Sequence, residues 1–269
     1  MEIITSGQNR LIKETKKLQQ RKYREERKLF LVEGVRLVEE ALYSGNCQKA
    51  FYSKRLLSTE RGEALLQKLR ERLPTKDDLV AVSPQVLKLL ADTESDQGVV
   101  AIARQQDYEL DTLRLGDRAL LLVADSLQDP GNLGTMLRTA WCAGVDAVIC
   151  LPGTVDPYNS KTVRASMGGI FHVPVIMRIG WEQVREWCRK QEVQLVAGDL
   201  QGQPYYSQSY ADRVALVIGN EGQGLIQVKA EQLAARVTIP LAPGAESLNA
   251  AVACGVLLFH IRNSCHTLR

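Results

Sequence analysis

Several features are scarce in this sequence of 269 residues, and long apolar runs are the first of them. No stretch approaches the roughly 18 consecutive apolar residues that a membrane-spanning helix needs. The first residues, MEIITSGQNRLIKETKK, are polar and charged where a signal peptide would have an apolar run. The sequence therefore predicts a cytoplasmic protein.

Metal-binding patterns are also missing. The cysteines form no CxxC pair, and the three histidines lie near no cluster of cysteines or carboxylates. Cysteines in apolar surroundings, as in AVIC and AVACGVLLF, are typical of buried, reduced thiols. We therefore expect no metal ion and no disulfide framework. The cysteines concerned are Cys47, Cys142, Cys150, Cys188, Cys254 and Cys265.

The net charge is only +3, but the positive charge is concentrated near the beginning of the chain. Residues 1–30 carry nine basic and four acidic side chains, whereas residues 109–269 carry 14 basic and 15 acidic ones. A localised basic segment is typical of a protein that binds a polyanion. It is equally compatible with an ordinary solvated helix.

The first part of the chain alternates helix-like and strand-like segments. NRLIKETKKLQQRKYREERK predicts one long polar helix with Leu11, Ile12 and Leu18 on a thin apolar stripe, and VRLVEEALYSG predicts a helix that ends at Gly45. Further strands are expected in LFLVEG, KAFYS, LVAVS and GVVAIAR, and further helices in ERGEALLQKLRERL and PQVLKLLAD. We predict a small α/β domain over residues 1–107, followed by a linker over residues 108–116.

A second α/β domain is predicted over residues 117–269. Its strand candidates, ALLLVA, AVICL, VPVIM, VQLVAG and VALVIG, are near-continuous apolar runs. Strands that are buried on both faces have this composition, which favours a mostly parallel sheet covered by helices on both faces. The sequence leaves the strand order open.

Three loops that follow predicted strands are rich in glycine and polar residues. They are LQDPGNLG after ALLLVADS, GNEGQGL after VALVI, and APGAESLNAA after VTIPL, where a helix is expected to begin near Ser247. Ligands of open α/β sheets bind beyond the carboxyl ends of the strands. Taken singly, these loops are also compatible with a turn, a flexible connection and an ordinary helix start, and they match neither the Walker nor the Rossmann glycine pattern.

Taken together, the three loops resemble the SpoU family of RNA ribose methyltransferases, within the SPOUT superfamily. The resemblance rests on NxGxxxRTA, GNEGxGL and IPL…SLNAA in that order, and on the intervening KTVRASMGGIFHVPV, which is similar to the ribosomal-RNA branch. The beginning of the chain is similar to the substrate-binding domain that precedes many of these enzymes. The resemblance implies a deep trefoil knot, bound S-adenosylmethionine and a homodimer formed through the catalytic domain.

The resemblance also implies roles for particular residues. Arg138 is expected to bind a phosphate and polarise the ribose hydroxyl, since a guanidinium is a poor base; the alternative is a salt bridge on the helix surface. Asn132 and Asn249 would orient loops and substrate, Ser247 would do the same or cap its helix, and Glu221 would hold Arg138 or neighbouring backbone. The expected cofactor contacts are Gly219, Gly222, Gly224, Ile239, Leu241, Leu248 and Asn249.

RNA contacts are expected mainly in the basic segment near the beginning of the chain. Cationic side chains there would bind phosphates, and Tyr23 would stack on an unpaired base. Up to half of these side chains are equally compatible with simple solvation. The candidates are Arg10, Lys13, Lys17, Arg21, Lys22, Tyr23, Arg24, Arg27 and Lys28, together with Lys161 and Arg164 of the KTVRASMGG segment.

The predicted function is methylation of a ribose 2′-hydroxyl, with 23S ribosomal RNA as the favoured substrate. Transfer RNA is the alternative substrate. The alternative from another class is a non-catalytic RNA-binding or ribosome assembly factor built on an inactive methyltransferase. No Asp–Lys–Asp–Glu set and no Asn-Pro-Pro-Phe-like motif is found, which disfavours a Rossmann-type methyltransferase.

Overall fold

A computed structural model describes residues 3–73, 75, 77–93 and 97–265 of the chain, the last of them without its side chain. Two compact units form: the first comprises the described residues of Met1–Gln106 together with Tyr158–Phe171, and the second comprises those of Asp107–Pro157 and His172–Arg269. Within the described part of the chain, no helix is long and apolar enough to cross a membrane.

The elements of the first hundred residues alternate between helices and strands. In chain order they are α1 (Arg10–Lys16), α2 (Arg21–Arg27), β1 (Leu29–Glu33), α3 (Val35–Tyr43), β2 (Cys47–Tyr52), α4 (Glu60–Arg72), β3 (Leu79–Ala81), α5 (Pro84–Leu90) and β4 (Val99–Arg104).

The remaining elements continue this alternation. In chain order they are β5 (Ala119–Ala124), α6 (Pro130–Ala143), β6 (Ala147–Cys150), α7 (Ser160–Ala165), β7 (Val175–Ile176), α8 (Trp181–Lys190), β8 (Gln194–Pro204), β9 (Arg213–Ile218), β10 (Ala235–Thr238) and α9 (Ala250–Cys265).

The first unit is built on a four-stranded sheet in the order β1-β4-β2-β3. β4 pairs antiparallel with β1 and β2, and β2 pairs in parallel with β3. Phe51 of β2 is fully buried in a cluster with Ile12 and Leu18, so the segment before β1 is anchored by its apolar residues. Gly45 takes a left-handed φ of 74° just after α3, as predicted for the end of that helix.

The predicted single helix over residues 9–28 is wrong, because the chain breaks at Gln20. Gln20 is extended (φ −97°, ψ 134°), and it separates a short 3-10 turn that follows α1 from the start of α2. The buried guanidinium of Arg24 donates hydrogen bonds to the carbonyls of Leu18 and Gln19, at 3.0 and 2.8 Å. These two carbonyls are therefore satisfied by a side chain instead of a continuing helix.

The predicted second domain is one continuous stretch, residues 117–269, whereas Tyr158–Phe171 clusters with the first unit. Phe30 of β1 lies against Tyr158 and Phe171, with ring centroids 4.9 and 5.8 Å apart. Arg164 of α7 forms an ion pair of 2.9 Å with Asp92. The aromatic and ionic contacts that draw this segment away are long-range, so local sequence patterns do not reveal them.

The second unit is built on a six-stranded sheet in the order β10-β8-β9-β5-β6-β7, with parallel pairings between these strands. Leu121 of the central strand β5 lies in a core cluster with Trp181 and Trp187 of α8. Leu120 and Leu122, which point to the opposite face, are equally buried. Burial on both faces explains why the strand sequences lack polar alternation and confirms the predicted α/β architecture with a mostly parallel sheet.

The described cysteine side chains are free thiols. Cys150 and Cys188 are buried, as predicted, and burial raises the pKa of each thiol to about 12. Cys142 differs from the prediction because it is exposed on α6, and the side chain of Cys265 lies outside the described residues. Within the described ranges, no cluster of histidine, cysteine and carboxylate side chains is suited to a metal ion.

Candidate active site

The structure brings the three predicted loops together at the carboxyl ends of β5 and β9. Asn132 lies in the first turn of α6, where Asp129 caps the helix by accepting a hydrogen bond of 2.8 Å from the Asn132 N–H. The Asn132 amide Nδ2 donates to Glu221 at 3.0 Å, and Asn249 Nδ2 donates to Asn132 Oδ1 at 2.9 Å. A chain of two side-chain hydrogen bonds thus links one residue from each loop.

Glu221 fixes the loop that precedes α6. Its carboxylate accepts hydrogen bonds from the backbone N–H groups of Gln128 and Asp129, at 3.3 and 3.2 Å, as well as from Asn132. Burial alone would raise the pKa of Glu221, but these hydrogen bonds outweigh burial and hold the pKa below its ordinary value of 4.5. The carboxylate therefore holds neighbouring backbone, which was one of its two predicted partners, and not Arg138.

Asp125 and Asn220 organise the loop after β9, and the sequence analysis did not single them out. Asp125 is fully buried, and its Oδ2 accepts hydrogen bonds from the backbone N–H groups of Ile226, Gln227 and Val228, at 2.8 to 3.2 Å. A carboxylate directly after a buried apolar strand was the available signal, since a buried charge needs such donors.

The side chain of Asn220 links its own loop to the loop after β5. Its Nδ2 donates to the Ser126 carbonyl at 2.9 Å, and its Oδ1 accepts from the N–H groups of Gly222 and Gln223, at 2.9 and 3.1 Å. The loop is therefore rigidified by its own asparagine. The N–H of Gly222, a predicted cofactor contact, is already used within this loop.

Two of the three predicted glycines are required by the local backbone geometry. A Cβ on Gly219 would lie 2.4 Å from the carbonyl carbon and oxygen of Gly224, and Gly224 itself has a φ of 69°. Asn220 and Gly224 also exchange two backbone hydrogen bonds, at 2.7 and 3.0 Å. A larger residue at Gly219 would therefore push this tight loop apart.

A cavity of about 750 Å³ opens between the middle of β8 and the loops after β9 and β10. The predicted cofactor contacts line it, including Gly219, Gly222 and Gly224 on one side. On the other side, the peptide groups of Ile239, Leu241 and Leu248 form no hydrogen bond with any other described residue. The cavity therefore offers apolar side chains together with backbone groups that are available to a ligand.

The last helix starts later than predicted. It begins at Ala250, not near Ser247, and Asn249 Oδ1 accepts hydrogen bonds from the N–H groups of Ala251 and Val252, at 2.9 and 3.2 Å. Asn249 is thus the capping residue, which corrects the predicted capping alternative for Ser247. Ser247 lines the cavity and forms no hydrogen bond to the described part of the chain.

Arg138 lies on the exposed side of α6, six residues after Asn132. Its guanidinium forms no ion pair or hydrogen bond with any residue that the structure describes. The alternative of a salt bridge on the helix surface is therefore wrong. An arginine that no protein group neutralises is suited to an anionic ligand.

In the basic segment, several predicted phosphate contacts are used within the protein. Glu14 accepts from Lys17 and Arg27, each at 2.6 Å, and the hydrogen bonds from first Lys17 and then Arg27 lower the pKa of Glu14 to about 2. Arg21 pairs with Glu25 at 2.7 Å. Outside the segment, the predicted contact Arg164 likewise pairs with Asp92, at 2.9 Å. Arg24 is buried against carbonyls, so the prediction that it contacts phosphate is corrected.

Other cations of the segment stay exposed. Arg10, Lys13 and Lys22 have no ion pair with a described residue, and the same holds for Lys16, which the prediction omitted. Lys28 ends α2 in a left-handed conformation, and Lys161 is exposed on α7. Apart from the half-buried Lys28, the structure thus divides the predicted cations into a paired group and an exposed group.

Tyr23 lies among cations instead of offering a bare aromatic face. Lys17, Lys22 and Arg27 each lie 5.6 to 6.0 Å from its ring centroid. The electron-rich face of an aromatic ring attracts cations, so these contacts are favourable. A base that stacked on this ring would therefore lie next to the same cations.

Comparison with known proteins matches both parts of the chain. Residues 119–259 match the SpoU rRNA Methylase family, and residues 9–101 match the MRM3-like substrate binding domain. The 23S rRNA (guanosine(2553)-2′-O)-methyltransferase RlmP of Bacillus subtilis is 36% identical over 263 residues, which cover 97% of this chain and 100% of that protein.

Solved structures agree with this match. An S-adenosylmethionine-bound rRNA methyltransferase from Sinorhizobium meliloti has a TM-score of 0.85 at 32% identity and covers 97% of both chains. The SpoU methyltransferase AviRb from Streptomyces viridochromogenes, also in complex with that cofactor, has a TM-score of 0.85 at 26% identity, with 95% of this chain and 98% of the other covered. This chain therefore belongs to the SpoU rRNA methylase family.

Proposed function

We propose that this protein transfers a methyl group from S-adenosylmethionine to a ribose 2′-hydroxyl of 23S ribosomal RNA. The observation that carries the proposal is the hydrogen-bonded chain Glu221–Asn132–Asn249, which assembles the three family motifs around one cavity. The relatives named for ribosomal RNA methylation, which match over both units, support the choice of substrate.

The cavity fits the proposed cofactor. Its volume of about 750 Å³ lies in the range of sites for ligands of this size. Gly219 lets the loop that forms one wall close tightly against Gly224, and the peptide groups of Leu241 and Leu248 are available for an adenine and a methionine moiety. When bound, S-adenosylmethionine supplies the methyl group together with a good leaving group, so the protein must mainly align the reactants.

Arg138 is the residue that we assign to the RNA. Its guanidinium is exposed and has no partner among the described residues, and a guanidinium can hold a phosphate through two parallel hydrogen bonds. Placed at the ribose, it would polarise the 2′-hydroxyl and stabilise the negative charge that develops there. It would not remove the proton itself, because a free guanidinium has a pKa above 12.

Glu221, Asn132 and Asn249 act as positioning residues in this scheme. Asn132 both donates and accepts in the chain of hydrogen bonds, so its amide orientation is fixed from two sides. Ser247, which lines the same cavity, is available to orient the substrate. We assign residues 117–269 to catalysis and cofactor binding, apart from Tyr158–Phe171, which clusters with the first unit.

We assign residues 1–107 to RNA binding, with residues 108–116 as a linker. The exposed cations Arg10, Lys13, Lys16 and Lys22 would contact phosphates. The paired cations Lys17 and Arg27 would instead maintain the shape of the segment around Tyr23. A match to a substrate binding domain over residues 9–101 supports this division of labour.

The transfer RNA alternative and the non-catalytic alternative are less well supported. The substrate-binding match is of the MRM3 type, and proteins of that type are named as rRNA methyltransferases. The residues proposed to contact the cofactor line the cavity, and Arg138 lies on the helix that begins beside it, which supports an active enzyme.

The direct test uses purified protein, S-adenosylmethionine and a 23S ribosomal RNA transcript. Nuclease digestion followed by mass spectrometry is expected to reveal one 2′-O-methylated nucleoside. Transfer RNA serves as the control substrate. Methyl groups found only on bases, or only on transfer RNA, would contradict the proposal, and cofactor binding without transfer to either RNA would favour the non-catalytic alternative.

A homodimer is part of the proposal. Along α9 and the residue pair before it, Leu248, Val252, Val256 and Phe259 form an apolar stripe, and each side chain is 38% to 52% exposed. Such a stripe on an otherwise packed helix is suited to a second copy of the chain. Analytical ultracentrifugation is expected to give the mass of a dimer for the wild type and of a monomer for Val256→Glu.

The trefoil knot and a cytoplasmic location complete the proposal. The segment from Ile239 to Ala250 returns to the cavity beside the loop after β9, and Asn249 reaches Asn132 at the start of α6. This return supports threading of the C-terminal segment, which a crystal structure would test by direct tracing. Cell fractionation together with ribosomal subunits would test the location.

A further inference from the structure

One ring of a stacked aromatic pair lies on α6, the helix that carries Arg138. The indole ring of Trp141 on α6 and the imidazole ring of His172 are parallel to within 1°, with centroids 4.0 Å apart. His172 is exposed and Trp141 is half-buried, whereas Trp181 and Trp187 are buried in the core of the same unit. The pair is therefore a surface feature and not part of the core.

The pair adjoins Arg138. Residues three apart on a helix are neighbours on its surface, so Trp141 lies next to the unpaired arginine. Thr135 and Arg138 are also exposed, but each step of three residues turns by about 60°, so Asn132 in the first turn lies on the opposite side of α6 from Trp141. Asn132 and Trp141 are separated along the helix axis by about 14 Å, at 1.5 Å per residue.

The pair also lies away from the surface of α6 that α9 covers. Thr139 Cγ2 is 3.5 Å from the position that a Cβ would take on Gly255 of α9, so α9 crosses α6 at Thr139. Trp141 is two residues further on and hence about 200° around the helix. The packing of α9 therefore does not account for the aromatic pair.

We propose that the Trp141–His172 pair is a stacking platform for an unpaired RNA base close to the ribose that Arg138 contacts. The inference rests on the proposed function and adds a residue pair that positions an unpaired base. Phosphates and ribose carry no sequence information, so choosing one hydroxyl among many requires contact with a base or with RNA shape. Unpaired RNA bases are typically recognised by stacking on tryptophan or histidine rings.

The test measures binding without turnover. Full-length protein with S-adenosylhomocysteine is titrated with a short oligoadenylate and with an abasic oligoribonucleotide of equal length. The wild type is expected to bind the oligoadenylate about 10-fold more tightly, the order of magnitude of one stacked base. His172→Ala should lose this preference and retain its affinity for the abasic strand, whereas His172→Tyr, which keeps an aromatic ring, should preserve the preference.

A second measurement needs no variant. Trp141 is the more exposed indole, so oligoadenylate should quench tryptophan emission and the abasic strand should not. An unchanged base preference in His172→Ala, or equal quenching by both strands, would overturn the proposal. A change in dimer mass with an unchanged base preference would overturn it in favour of a subunit contact.

A different result is expected if the proposed methyl transfer itself is wrong. In that case no methylated nucleoside would appear with any RNA, while the base preference would still depend on His172. If only the platform proposal is wrong, the wild type would still methylate RNA. It would then bind the oligoadenylate and the abasic strand with equal affinity.

Discussion

The cavity loops and the basic segment near the beginning of the chain use polar side chains in opposite ways. Around the cavity, Asn132, Glu221 and Asn249 bind one another, and peptide groups face the space between them. In the basic segment, Lys17 and Arg27 are neutralised by Glu14, while Arg10 and Lys13 remain exposed without an ion pair among the described residues. Residues that build a site therefore differ from residues that contact a substrate in the partners of their side chains more than in their residue types.

Arg138 shares one property with each of the two regions, and its substitution is expected to have the largest effect on methyl transfer. It lies on α6 near the cavity loops and, like the exposed cations of the basic segment, forms no ion pair within the part of the chain that the structure describes. Arg138→Ala is expected to lower the rate of methyl transfer by roughly 100-fold or more, the scale for removing a group that stabilises developing charge. Transfer of labelled methyl to 23S ribosomal RNA measures the rate. Arg138→Lys would recover activity only if charge alone suffices, and a wild-type rate in Arg138→Ala would make the residue structural.

Arg24 and Lys22 provide a matched pair within one helix. Arg24→Met leaves the buried carbonyl of Leu18 and the partly buried carbonyl of Gln19 without this donor, so the free energy of unfolding should fall by about 1–3 kcal/mol. Lys22→Met removes an exposed charge and should leave stability unchanged. Urea titrations measure both. Equal stability of the two variants would show that burial does not separate these cations.

Asn249→Ala tests the cavity side of the comparison. The substitution removes the hydrogen bonds to Ala251 and Val252 and the hydrogen bond to Asn132. Loss of the helix cap should lower stability by about 1 kcal/mol, and loosening of the loop should raise the Kd for S-adenosylmethionine about 10-fold. Calorimetry measures the Kd. Ser247→Ala, which removes no hydrogen bond to a described residue, is the stability control, and a loss of stability as large as that of Asn249→Ala would argue against the capping assignment.

The exposed cations should dominate the salt dependence of RNA binding. Changing Arg10, Lys13, Lys16 and Lys22 to glutamine should reduce the slope of log K against log salt by about 0.7–0.9 for each phosphate contact that is lost. Changing Lys17, Arg21 and Arg27 to glutamine should reduce it less, because these cations are paired. Filter binding over a range of salt concentrations gives both slopes, and a larger reduction in the second variant would reverse the assignment.

Glu221 gives the smallest effect, and it depends on pH. Because its pKa in the folded protein lies below 4.5, the stabilisation from its charge is fully present above pH 4.5 and is lost as the pH falls through the lower folded value. The difference in melting temperature between wild type and Glu221→Gln should therefore stay constant from pH 7 to about pH 4.5 and shrink below it. A difference that shrinks already above pH 5 would contradict the lowered pKa.

Much of the fold could be predicted from the sequence because its signals are local. The apolar run ALLLVA forms β5 with every residue buried, and Gly45 follows α3 with a left-handed φ. The break at Gln20 could not be predicted in the same way, because it is stabilised by Arg24 reaching back to two carbonyls. The affiliation of Tyr158 with the first unit depends likewise on a distant ring, that of Phe30.

The site was predicted to a similar extent. The three motifs could be found by residue type and order, and the structure brings Asn132, Glu221 and Asn249 within hydrogen-bonding distance. What could not be predicted is which partner each side chain takes, as with Glu221 and Arg138. Asp125 was missed because its function is to hold backbone groups about a hundred residues away in the chain, at Ile226 to Val228.

One pair of measurements tests the central claim most directly, namely that paired residues build the cofactor cavity and the unpaired arginine serves the RNA. Methyl transfer in a single turnover is followed for Arg138→Ala and Asn249→Ala at rising concentrations of S-adenosylmethionine. We expect saturating cofactor to restore most of the rate in Asn249→Ala and none of it in Arg138→Ala, whose cofactor Kd should equal that of the wild type. Recovery of Arg138→Ala at high cofactor concentration would contradict the claim.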